Sequence, residues 1–102
     1  MRIIKRSRIR EWSDEHDDAA NALFIWYTVA RRARWRNLPE VRADFRSADA
    51  VTVDSGRTVV VFNIRGGHYR MIVAIHYNTQ RAYMLRFLTH REYDTDRWKR
   101  QL

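Results

Sequence analysis

Two consecutive glycines, Gly66-Gly67, separate two stretches rich in β-branched and aromatic residues, Arg57–Ile64 and Tyr69–Tyr77. A two-residue connection between strands needs positive φ, which glycine adopts without steric cost, and its twist suits the strands it joins. The chain is therefore expected to double back here as an antiparallel hairpin. The turn also sets the register. Asn63 falls opposite Arg70 on one face of the sheet, and cross-strand neighbours of this kind sit about 5 Å apart. In the second strand Arg70 alternates with Ile72, Ala74 and His76, while Tyr69, Met71, Val73, Ile75 and Tyr77 take the other face.

The strand pattern extends on both sides. Val51–Val53 precedes the turn signal Asp54-Ser55-Gly56, and Arg81–Leu88 follows the connection Asn78-Thr79-Gln80. That connection leaves the register open by one residue, so the partner of Arg86 is not fixed. The first half reads differently. Met1–Lys5 suits a short strand, and Ser7 is a candidate N-cap for a helix to about His16. A second helix is predicted from about Asp17 to Trp35, with Ala19, Leu23, Trp26, Tyr27, Ala30 and Ala33 on one apolar face. Trp26, Tyr27 and Trp35 are read as core. Acids at the start of this helix (Asp14, Glu15, Asp17, Asp18) and bases at its end (Arg31, Arg32, Arg34, Arg36) complement the helix dipole. Arg31–Arg36 also suits a role in holding RNA. Asn37-Leu38-Pro39-Glu40 reads as a break and then a short helix with Pro39 in its first turn. A helix from about Glu92 to Arg100 closes the chain. The expected fold is a single α+β domain over residues 1–102. Its N-terminal helices pack on one face of a mainly antiparallel four- to five-stranded sheet, with a short C-terminal helix.

Composition narrows the class. Apolar residues make up 45% of the chain, which suits a globular domain rather than a disordered one. The absence of Cys rules out disulfides and thiol chemistry. The longest apolar stretch, Ala19–Ala30, is interrupted by Asn21 and is too short to span a bilayer. Met1-Arg2-Ile3-Ile4-Lys5-Arg6 lacks the apolar centre of a signal peptide, so a cytoplasmic protein is expected. The formal net charge is +8, and of the 20 basic residues only Lys5 and Lys99 are lysine. Guanidinium groups give planar, bidentate donors suited to phosphate, which points to a nucleic-acid partner. Solvated surface arginines are the other reading. Phosphate contacts alone would orient a nucleic acid without reading its sequence.

The segment Thr89-His90-Arg91-Glu92-Tyr93-Asp94, at the end of the last strand, brings an imidazole, carboxylates and a phenol to the end of the meander. Histidine suits proton transfer near neutral pH. Arg70, set in an apolar strand, has two readings: an ion pair with Glu92 or Asp94, or a clamp for phosphate. His68, in the glycine turn, is a second candidate, while His16 and His76 are read as structural. His90, Glu92, Asp94 and Asp96 are metal-ligand types. However, there is no H-E-x-x-H, no Cys pair and no second histidine at ligand spacing, so neither a metal nor a cofactor is expected. No P-loop, G-x-G-x-x-G or G-x-S-x-G motif is present.

At Val61-Phe62-Asn63-Ile64-x-Gly66-x-x-Tyr69-Arg70 and Thr89-His90-x-Glu92-Tyr93-Asp94 the chain resembles the HigB-type toxins of bacterial toxin–antitoxin modules, within the RelE-like superfamily. The resemblance runs over nearly the whole chain and includes the aromatic positions Trp26, Tyr27 and Trp35. One departure is Gly67, where the family often carries Asn. The resemblance implies a metal-independent mRNA endoribonuclease that acts on the ribosome, inhibits translation and is held inactive by a cognate antitoxin. In such chemistry the RNA 2′-hydroxyl attacks its own phosphate and leaves a 2′,3′-cyclic phosphate and a 5′-hydroxyl. Carried over, Arg70 would stabilise the phosphorane and His90 would be base or acid. Glu92 would orient His90 or act as base, and Tyr93 would donate to phosphate or stack on a base. Asn63, Arg65, His68 and Arg86 would contact the RNA around them. A gyrase poison of the ParE type, which needs no convergence of Arg70, His90 and Glu92, and a plain basic RNA-binding module are the competing readings.

Overall fold

The computed structural model describes all 102 residues. Strand β1 (Arg2–Ile4) leads into helix α1 (Ser7–Glu15), a 3-10 turn (Asp17–Ala19), α2 (Ala20–Arg32) and α3 (Leu38–Asp44). Then come β2 (Asp49–Thr52), β3 (Thr58–Ile64), β4 (Tyr69–His76) and, after a 3-10 turn (Tyr77–Thr79), β5 (Arg81–Thr89). Helix α4 (His90–Asp94) and a final 3-10 segment (Arg97–Gln101) end the chain. The five strands form one sheet in the order β1-β5-β4-β3-β2, with β1 parallel to β5 and every other pair antiparallel. The fold is therefore α+β, as expected.

The glycine turn forms and sets the predicted register. Asn63 pairs with Arg70, and the two glycines take φ of 61° and 92°. Arg65 joins them at φ 52°, a left-handed conformation that costs a non-glycine residue some strain. The register left open between β4 and β5 is settled by a β-bulge. Ile72 faces Arg86, yet Val73 faces Met84, so Leu85 is the extra residue. Strand β1 ends opposite Tyr83, leaving β5 beyond it without a strand partner on that side. Arg8 reaches from α1 to fill that gap, donating to the carbonyls of Met84 and Leu85, both at 2.7 Å.

Both sheet faces are covered. Leu23, Trp26, Phe62, Met71, Val73 and Met84 form the main core between the sheet and the N-terminal helices. On the second face Val59, Val61 and Ile72 pack with Val53 and with Trp98 from the final segment. Burying one such side chain contributes about 1.5–3 kcal/mol, whereas an exposed ion pair gives about 0–1 kcal/mol. The chain's ion pairs all lie at least partly in solvent, so the two cores hold the fold. No helix is long and apolar enough to cross a membrane.

Three local expectations are corrected. Ser7 is the first helical residue, and Arg6 precedes it in helical geometry without a side-chain cap. The helix expected over Asp17–Trp35 begins as a 3-10 turn and ends at Arg32, because Ala33 turns extended at ψ 155°. That exit lets Trp35, 2% exposed, pack against Phe45 and Phe62 and donate to Asp44 at 2.9 Å. The expected helix Glu92–Arg100 is two pieces, divided at Asp96, which takes φ 59°. The break folds Trp98 back onto the sheet. The break before α3 is as expected, with Asn37 accepting from the Glu40 amide at 3.0 Å and Pro39 in the first turn.

Candidate active site

Antiparallel pairing lines up side chains on the second face in two adjacent rows. One row is Asn63, Arg70 and Leu88; the next is Val61, Ile72 and Arg86. Arg70 and Arg86 thus share a face, two residues apart along the sheet, and Asn63 stands beside Arg70. Arg86 donates to the carbonyl of Leu85 at 2.8 Å, within the bulge.

The Arg70 guanidinium meets neither Glu92 nor Asp94. It donates to the carbonyl of Gly67 at 2.5 Å and lies over the ring of Tyr93, with its central carbon 5.5 Å from the ring centre. Gly67 is specific to this geometry, since a Cβ there would come within 3.3 Å of the guanidinium. The ring of Tyr93 stacks on Trp98, with centroids 5.3 Å apart, and Trp98 donates to the Tyr93 carbonyl at 3.1 Å. Burial pushes the Tyr93 phenol above its ordinary value of 10.0, and nearby Lys99 and Arg70 only partly oppose it. The phenol therefore stays a donor across the physiological range.

Helix α4 starts where β5 ends because Thr89 and Glu92 form a capping box. The Glu92 amide donates to the Thr89 hydroxyl at 3.1 Å, and the Glu92 carboxylate accepts from the Thr89 amide at 3.0 Å. The carboxylate at His90 is therefore Asp94, one turn on, with Nδ1 to Oδ2 at 2.8 Å. The His90 amide donates to the carbonyl of His68 at 3.0 Å, which fixes α4 to the glycine turn. Gly66, Gly67, His68 and His90 line one shallow depression.

Arg65 is drawn away from this group. It pairs with Asp18 at 3.2 Å, and Tyr69 donates its phenol to the same carboxylate at 2.7 Å. The Tyr69 hydrogen bond, aided by Arg65, holds the Asp18 carboxyl below its ordinary 3.8, while the Tyr69 phenol is raised. His16 packs on Tyr69 and Phe87, and His76 stands beside Tyr83. No three His, Asp or Glu side chains converge as a metal site.

Asn63, Arg70, Arg86 and Tyr93 are thus gathered on one face, with His68, His90 and Asp94 at its end and Glu92 turned to its cap. Asp94 as partner of His90 was open to reading from its i, i+4 spacing. Asp18 and Trp98 gave no local signal of their contacts. Chemically, the group offers fixed guanidinium donors, a phenol and an imidazole–carboxylate pair.

The sequence profile of the HigB toxins, described as the RelE-like toxic component of a toxin–antitoxin system, matches residues 19–96. The chain belongs to the HigB toxin family. The match includes α2, the four antiparallel strands and α4, and so every residue of the group just described. As a HigB-family member the chain is the toxic component of a toxin–antitoxin system and has an antitoxin as partner. No curated protein matches the chain.

Proposed function

We propose that this HigB-family toxin is an endoribonuclease that cuts messenger RNA, on the ribosome, by transferring the phosphate to the neighbouring 2′-hydroxyl. The observation that carries the reading is Arg70. It is a guanidinium without a carboxylate partner, held by the Gly67 carbonyl and the Tyr93 ring, and Gly67 in turn lines a depression with His90. Its only hydrogen bonds are to main-chain carbonyls, so no carboxylate competes for its remaining donors. It keeps donors for the two non-bridging oxygens of a phosphorane.

The reaction forms a bond from the 2′-oxygen to phosphorus and breaks the bond to the 5′-oxygen. A base takes the 2′-hydroxyl proton and an acid gives one to the leaving oxygen. His90 serves one of these steps, with Asp94 orienting its ring. Glu92 contributes through the cap that places His90, or as a base from its free oxygen. Tyr93 supplies a neutral hydroxyl to the phosphate, and Asn63, His68 and Arg86 contact the RNA on either side. Arg65 acts through its ion pair with Asp18 rather than at the phosphate.

Purified toxin added to a translating extract tests this. Cut messages bearing 5′-hydroxyl and 2′,3′-cyclic phosphate ends are expected. Intact messages together with inhibited gyrase supercoiling would replace the reading with a gyrase poison. Separate pH–rate profiles for His90→Ala and Glu92→Gln divide the base and acid roles, and profiles unchanged in both would remove these two residues from the chemistry.

A further inference from the structure

The family match begins at Ala19, so it does not extend to the wall that β1 and α1 raise against α2. That wall borders a strongly basic surface. Three adjoining depressions form one trough along β1 and the start of α1. The first shares Met1, Arg2 and Arg31 with the second and Arg6, Ser7 and Tyr27 with the third. Of the basic residues that line it, Arg36 pairs with Glu40, whereas Arg2, Lys5, Arg6, Arg10, Arg31 and Arg34 pair with no carboxylate. No Asp or Glu lines any part of it. The floor is apolar, from the half-buried Ile3, Ile9 and Tyr27. Strand β1 is also a sheet edge, with β5 on one side and no strand on the other.

We propose that this trough is the docking surface for an acidic, amphipathic segment of the antitoxin. The proposal rests on family membership, which supplies the partner, and not on the nuclease reading. A basic rim around an apolar floor complements carboxylates alternating with aliphatic side chains, and an unpaired edge can take a further strand. Single-stranded RNA fits less well. Its bases need open aromatic faces, whereas the one aromatic ring here, Tyr27, is half-buried with Arg31 over it at 5.8 Å. The trough lies on the helix side of the sheet, across from Arg70 and Tyr93. An antitoxin seated there grips the toxin without filling the candidate site.

Equilibrium binding of the full-length toxin to its cognate antitoxin tests the proposal. Arg6→Glu combined with Arg31→Glu is expected to weaken binding about 10-fold or more, mainly by slower association, and to flatten its salt dependence. Arg57→Glu, exposed near the opposite sheet edge, is expected to leave the Kd unchanged. Hydrogen exchange on the unmutated complex gives a reading free of any folding defect, with protection expected over Ile3–Arg6 and Tyr27–Arg31. An unchanged Kd in the double variant, or a complex without that protection, overturns the proposal. So does weakened binding of a single-stranded oligouridylate with unchanged antitoxin affinity, which would make the trough an RNA surface.

Discussion

Arg70 lies over the ring of Tyr93, with 5.5 Å from guanidinium carbon to ring centre, while its Nη1 donates to the carbonyl of Gly67. The fork is aimed by a ring and a turn rather than by a carboxylate. Removing it with Arg70→Ala is expected to slow RNA cleavage about 100-fold or more, the usual effect of losing a transition-state donor. Arg70→Lys keeps the charge but loses the planar fork, so it should fall between the two. Single-turnover cleavage rates, read beside circular dichroism to confirm folding, check both.

Gly67 should be sensitive for two reasons. Its φ of 92° is unfavourable for a side chain, and a Cβ would lie 3.3 Å from the Arg70 guanidinium. Gly67→Ala is expected to cost about 1–3 kcal/mol of stability from backbone strain. It should lower cleavage by more than that loss accounts for, because Arg70 must move. A melting curve and a rate on the same preparation separate the two effects.

These two residues also show what the sequence made legible. The Gly66-Gly67 hairpin is local, so its register, and with it the pairing of Asn63 and Arg70, could be read directly. The bulge at Leu85 could not, since apolar alternation survives on both sides of it. The end of α2 was hidden because Arg34 and Arg36 continue a helix-compatible pattern, and the exit at Ala33 is set by the tertiary packing of Trp35. The Thr89-x-x-Glu92 spacing is a capping signature, yet the chemistry of Glu92 drew the reading away from it. Asp18 and Arg65 meet only through the fold, so the acids before α2 read as dipole partners alone.

The Asp18 cluster gives stability a pH dependence at the acid end. The Tyr69 hydrogen bond, with Arg65, holds the Asp18 carboxyl below its ordinary 3.8 in the folded chain. Its contribution is thus complete above that value and lost as pH falls through the lower folded value. Asp18→Asn should flatten this acid limb in melting temperature against pH. It should also speed hydrogen exchange over Arg65–Tyr69, and an unaltered limb would show that the cluster contributes nothing.

Trp98, 4% exposed, covers the second sheet face and stacks on Tyr93. Trp98→Ala is expected to cost about 3–5 kcal/mol, a large share of a small domain's stability. Trp98→Phe keeps a stacking ring but loses the hydrogen bond to the Tyr93 carbonyl, and should cost less. Urea unfolding of both variants measures the difference.

The central claim, that the Arg70–Tyr93–His90 face cuts RNA, is tested most directly by mapping cellular 5′-hydroxyl RNA ends minutes after inducing the toxin, beside Arg70→Ala. New ends within translated messages, absent in the variant, are the predicted result. Growth arrest without new ends would contradict the claim.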